Sequence, residues 1–129
     1  MQNQKKKTEV DCRRESPPFV LKSKTKTEPI EPGLKRQLLG YNHEIMAVRA
    51  FFEEGAIGQM HKHPHSQVAY VESGEFEVTV GDETKTLVAG DSFYVAPETM
   101  HGAVCRKAGC LIDMFSPMRE DFVEAGDQS

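Results

Sequence analysis

At 129 residues, with 38% apolar and 28% charged side chains, the chain has room for one ordinary globular domain around one core. No run approaches the roughly 20 apolar residues of a membrane span. The net charge of −4 is uneven: residues 1–30 carry eight Lys/Arg against four Asp/Glu, giving +4, and residues 31–129 carry eight against sixteen, giving −8. An acidic body argues against a nucleic-acid partner. Lys5-Lys6-Lys7 is followed by no apolar segment, so no secretion signal is read and a cytoplasmic location is expected.

Residues 1–16 read as a disordered basic tail. Residues 17–32 read as an N-terminal strand and linker, with a short strand over Pro17-Pro18-Phe19-Val20-Leu21 whose prolines suit an edge. Such a segment can pair with its own domain or be exchanged with a second subunit. Pro29, Pro32 and Gly33 mark the entry to the body, residues 33–122. There the period is two: Met46, Val48, Ala50 and Phe52 alternate with Ala47, Arg49 and Phe51, and Phe76, Val78 and Val80 alternate with Glu75, Glu77 and Thr79. Turn signals recur at Gly55, Gly58, Ser73-Gly74, Gly81-Asp82 and Gly90-Asp91. Short strands at this spacing predict an all-β sandwich or barrel.

Further on, one strand is expected from His101 to about Cys105 and a last one from Gly109 to Phe115. Arg106-Lys107-Ala108-Gly109 then forms a hairpin loop that sets Cys105 opposite Cys110. With Cys12 the cysteines number three, and an odd count without a secretion signal predicts free thiols. Arg119 to Ala125 can form a helical turn, and residues 123–129 are expected as a C-terminal tail.

The chemistry concentrates in His61-Lys-His63-Pro-His65-Ser-Gln67 and in His101. Side chains alternate along a strand, so His61, His63, His65 and Gln67 share one side. Imidazole is the commonest protein metal ligand, and two at i and i+2 can reach one ion at roughly 2.0–2.1 Å for zinc. Zn, Ni, Mn, Fe and Co all suit such a set. Pro64 interrupts the strand, which leaves His65 open between a substrate contact and an exposed imidazole. His43 falls in a surface turn.

A second informative segment is Leu111-Ile-Asp113-Met-Phe115-Ser-Pro-Met-Arg119-Glu-Asp-Phe122. An acidic residue in an apolar strand needs a partner or a cavity. Asp113 and Phe115, two apart, share a face, and Arg119 is placed to hold an anionic group with two nitrogens. From the residues alone, Asp113 bonded to a turn amide and Arg119 paired with Glu120 or Asp121 stay open as well.

Gly55, five residues, His61-x-His63, three residues, Gln67, six residues, Gly74 form one pattern, and Gly90-Asp91, Pro97 and His101 a second. Together they resemble the two motifs of the cupin superfamily, over about residues 33–116. Two positions depart: Gln67 stands where a glutamate is usual, and Glu98-Thr99 follow Pro97 where a glycine is often found. With His101-Gly102-Ala103 and the Asp113-to-Phe122 segment added, the chain resembles the pectin-degradation cupins of the KdgF type. The resemblance implies a single-domain cupin β-barrel, a double-stranded β-helix of jelly-roll type, expected as a homodimer with one divalent transition metal per subunit. It also implies an enzyme that converts 4,5-unsaturated monouronates, the products of polysaccharide lyases, to the linear keto form. On that resemblance His61, His63, Gln67 and His101 hold the metal. Asp113 transfers the proton, Phe115 packs the sugar, and Arg119 grips its carboxylate, acting with Asp113 in catalysis. A small cupin dioxygenase and a non-catalytic sugar-acid-binding module are the alternatives.

Overall fold

A computed structural model describes residues 14–128 of the chain. Most of the expected basic tail, and Cys12, lie outside the described residues. Its end does not trail away: the Ser16 backbone N–H donates to the Tyr41 carbonyl at 2.8 Å, and the Tyr41 N–H donates to Ser16 Oγ at 3.0 Å.

Eight strands follow: β1 (Glu28–Glu31), β2 (Leu34–Asn42), β3 (Ile45–Phe52), β4 (Ile57–His61), β5 (Ser66–Val80), β6 (Glu83–Val88), β7 (Ser92–Val95) and β8 (His101–Ser116). They form one antiparallel sheet in the order β1-β2-β3-β8-β5-β6, with β4 added on β8 and β7 on β5. The hydrogen-bonded path runs from β1 to β6 without closing on itself. The helix α1 (Glu120–Gln128) ends the described chain. Among the described residues no helix is long and apolar enough to cross a membrane.

The expected alternation on β3 holds, since Met46, Val48, Ala50 and Phe52 are all buried. They join Phe76, Val78, Cys105 and Leu111 in one cluster and Phe115, Met118 and Val123 in another. Each fully buried Val, Leu, Met or Phe side chain among them contributes about 1.5–3 kcal/mol. Val123 therefore belongs to the core, and the chain past residue 122 continues α1 where a tail was expected.

Two other expectations are corrected. Pro17–Leu21 form no strand; a short 3₁₀ turn at Lys22–Lys24 precedes β1. Two adjacent prolines supply no N–H to a ladder, and strand pairing begins only at Glu28, opposite Arg36. Arg106–Gly109 form no hairpin loop either, because β8 runs unbroken through them, as β5 runs through Ser73-Gly74. Cys105 and Cys110 thus lie on one strand, five residues apart, and do not face each other across a hairpin.

The physical reason is a close crossing of β5 and β8. Gly74 has φ 87°, and a Cβ there would lie 2.6 Å from the Lys107 carbonyl oxygen and 2.8 Å from Gly109 Cα. One on Gly109 would run into the backbone of Ser73. The register shifts three times between Val71 and Phe76. These glycines mark bulges where two long strands bend against each other. Gly58 likewise lies inside β4, while Gly55, Gly81 and Gly90 do turn the chain, each with positive φ.

Glu98, where the second motif often carries glycine, adopts φ 62°. Its N–H donates to the His63 carbonyl at 2.7 Å, so a backbone conformation unfavourable to a side chain secures the loop of the first motif.

Gly109→Ala is expected to destabilise the fold by more than about 2 kcal/mol, and Gly74→Ala by a similar amount. Glu98→Gly, which relieves the left-handed residue at some entropic cost, is expected to raise stability by up to about 1 kcal/mol. Denaturant unfolding of the three variants measures both effects.

Candidate metal centre and cavity

The two motifs meet at a strand pair. His61 ends β4 and lies opposite His101, which opens β8. The loop after β4 brings in His63, whose ring centroid is 4.8 Å from that of His101 and 5.6 Å from that of His61. The His61 and His101 centroids are 4.3 Å apart. One ligand atom from each of the three rings lies within 4.8 Å of the others, so His61, His63 and His101 can hold one metal ion.

The ring orientations follow from local hydrogen bonds. His61 Nδ1 lies 2.7 Å from the Gln59 carbonyl, His63 Nδ1 3.1 Å from that of His65, and His101 Nδ1 2.9 Å from that of Thr99. A carbonyl only accepts, so each Nδ1 carries the proton and each Nε2 presents a lone pair. Such an outer hydrogen bond is the usual support of a metal-ligating imidazole. Burial, only partly opposed by the Thr99 hydrogen bond and reinforced by the neighbouring histidines and Arg119, lowers the His101 pKa to about 4. It is therefore the neutral, ligating form at neutral pH.

Two observations test whether these residues fit a metal. His101 Nε2 is buried without a hydrogen-bond partner, a rare state for a buried polar atom. Gln67 supplies the second. Its amide nitrogen donates to Asp113 Oδ1 at 3.0 Å, which turns its oxygen toward His63 Nε2 at 2.9 Å. With His63 Nδ1 protonated, two acceptors face each other, and a cation between them satisfies both. The donor set fits a divalent transition metal.

A cavity of about 390 Å³ opens beside the histidines, and His61, Gln67, His101, Asp113, Phe115 and Arg119 all line it. Asp113 sits on the central strand β8, paired with Val48 of β3 and Ala69 of β5. Burial pushes its carboxyl up to about 6, against the Gln67 hydrogen bond and the Arg119 charge, which lower it. Phe115, on the same strand face, meets the His63 ring edge-on at 5.7 Å. Arg119 lines the cavity and pairs with Asp121, through Nε at 3.2 Å and Nη2 at 3.0 Å.

Seven of the eight expected site residues therefore converge. His65 stands behind them, its ring 5.4 Å from that of His63 and 6.3 Å from that of Phe115. Its carbonyl orients His63, and burial first of all lowers its own pKa. His43 is exposed in the turn between β2 and β3, as expected. Arg36 and Phe122 also line the cavity; from the sequence Phe122 had no role beyond its place in the Asp113-to-Phe122 segment, and Arg36 was not singled out. The signal for Arg36 was a charge interrupting the apolar alternation Leu34-x-Arg36-x-Leu38.

The cupin domain family matches residues 48–114. Pectin degradation protein KdgF of Dickeya dadantii (strain 3937) is 39% identical over 107 residues, covering 81% of this chain and 97% of that protein. The structure of KdgF from Halomonas sp. has a TM-score of 0.79 and 37% identity, covering 83% of this chain and 99% of that one. An RmlC-like cupin from Shewanella frigidimarina NCIMB 400 reaches a TM-score of 0.83 at 55% identity, covering 84% and 98%. A three-histidine cluster on a single antiparallel sheet, matched along nearly the full length of these proteins, means that the chain belongs to the cupin family and is similar within it to KdgF.

Proposed function

We propose that the protein is a metal-dependent cupin enzyme that opens 4,5-unsaturated monouronates, released by polysaccharide lyases, to the linear 5-keto-4-deoxyuronate. The observation that carries this reading is a carboxyl with a raised pKa, Asp113, beside the histidine cluster and sharing a cavity with Arg119. The similarity to the pectin degradation protein KdgF supports it. A jelly-roll barrel form of the sheet, a homodimer and a cytoplasmic setting belong to the same proposal.

In this reading Arg119 holds the substrate carboxylate and Phe115 packs against the sugar. A divalent metal held by His61, His63, Gln67 and His101 supplies Lewis-acid polarisation of a sugar oxygen. Asp113 moves the proton. It takes the proton of the anomeric hydroxyl as the bond from the anomeric carbon to the ring oxygen breaks, leaving an aldehyde and an enolate. It then returns a proton to C4, which yields the 5-keto group. The reaction is an isomerisation with no net redox change, and a carboxyl with a pKa near 6 suits both halves of the transfer at neutral pH. Gln67, bonded to Asp113, aims that carboxylate.

Purified lyase product mixed with the protein is expected to lose its unsaturated chromophore, and chelation of the metal is expected to stop the loss. Asp113→Ala is expected to lower kcat by about 10²- to 10⁴-fold, and Arg119→Ala to raise KM by about 10- to 100-fold. An Asp113→Ala enzyme as fast as wild type would sink the proton-transfer role. Galacturonate bound with no turnover of any unsaturated uronate would favour a sugar-acid-binding module, and oxygen consumption with retained iron a dioxygenase.

The raised Asp113 pKa also has a consequence for stability. Below its ordinary value of 3.8 the carboxyl is protonated folded or unfolded and no charge is buried, whereas above about 6 the ionised form is buried at a cost. In metal-free protein, Asp113→Asn is therefore expected to match wild type at low pH and to gain stability as pH rises through 6. The gain reaches roughly 2–3 kcal/mol. Urea unfolding at pH 4 and pH 8 measures it; an equal gain at both would overturn the assignment of the shift to Asp113.

A further inference from the structure

Phe122 borders the cavity yet has no part in the reaction just described. It lies in the first turn of α1 and meets the Phe115 ring edge-on at 5.7 Å. Two cations rest on it. The guanidinium carbon of Arg36 is 3.8 Å from the ring centroid and that of Arg119 is 4.2 Å. Both guanidinium groups are thus within cation–π reach of one ring. Each is closed by a carboxylate: Glu28 meets Arg36 Nε at 3.3 Å, and Asp121 spans Arg119 Nε and Nη2. The ladder Glu28–Arg36–Phe122–Arg119–Asp121 ties β1, β2 and α1 together at the cavity.

The ladder is shielded where it matters. The Arg36 and Arg119 side chains are 13% and 14% exposed, and Asp121 is 61% exposed. Asp121 therefore holds Arg119 from the solvent side while the guanidinium itself borders the cavity. Burial raises the Asp121 pKa, yet its net value is lowered, because Arg119 and then Arg36 draw it down. Both cations thus act on one carboxylate. A free arginine has many rotamers to lose when it grips an anion, and a stacked one has lost most of them beforehand.

We infer that Phe122, braced by Arg36, is a positioning residue that preorganises Arg119 to receive the carboxylate of an anionic sugar. The inference rests on the uronate reading above and concerns how tightly the substrate is held, not proton transfer.

The test uses zinc-loaded, full-length protein, with NMR of the Arg119 Nε–H, titration with galacturonate, and turnover of an unsaturated uronate. Wild type is expected to show a ring-shifted Arg119 signal. Phe122→Leu and Arg36→Gln, which disturb the stack from different elements, are expected to lose that shift. They are also expected to weaken galacturonate binding and raise KM roughly 3- to 30-fold while kcat stays within about twofold. Phe122→Tyr, which keeps the ring, is expected to stay near wild type.

An unmoved Arg119 signal, an unmoved KM in both disrupted variants, or a Phe122→Tyr as impaired as Phe122→Leu overturns the inference. If wild type keeps its ring-shifted signal but binds no galacturonate, the uronate reading falls and takes the inference with it. If wild type binds and the disrupted variants bind equally well, the inference alone falls.

Discussion

Two long strands, β5 and β8, can lie against each other only because glycines stand where their backbones meet. At Gly74 and Gly109 no Cβ fits. The consequence for the site is geometric. His101 and Asp113 are both on β8, twelve residues apart, and a straight strand of that length would separate them by about 40 Å. Yet both line one cavity. The strand must curve, and the bulged crossing with β5 is where it is bent. The first histidine motif reaches the same cavity because β4 adds to the beginning of β8, while Gln67 reaches it because β5 pairs along the end of β8.

Gln67 is the hinge of the site's electrostatics. Its amide has two different ends, and here they have different tasks: the nitrogen donates to Asp113 and the oxygen faces His63. A glutamate in its place would set a second carboxylate against Asp113 and drive that group's pKa higher still. The departure from the usual cupin residue and the acidic residue in the apolar strand are thus one feature seen from two sides.

Much of this was legible in the chain itself. The alternation of Met46, Val48, Ala50 and Phe52 marked a strand with one buried face, and the spacing of His61, His63, Gln67 and His101 pointed to a metal site, of which the fold brings the three histidines within reach of one ion and Gln67 beside His63. Asp113 was conspicuous because a carboxylate in an apolar strand needs a cavity, and one is there. Glycines were the main source of error. Gly74 and Gly109 signal bulges, but a bulge and a turn ask for the same residue, so Arg106–Gly109 read as a loop inside what is one strand. The stacking of Arg36 on Phe122 escaped for another reason: it joins residues far apart in the chain, and the charge that interrupts the alternation at Arg36 does not say what it meets.

The hydrogen bonds that aim the three histidines have a property of their own. Each reaches a carbonyl only two residues away, Gln59 for His61, His65 for His63 and Thr99 for His101. The aim of each ring is thereby set within its own short segment and owes little to distant packing. Two pre-aimed segments are brought into register by the pairing of β4 with β8. The histidine cluster is modular in this sense: the aim of its rings is written into two short segments, and the cavity lining contributed by β2, β3 and α1 takes no part in it.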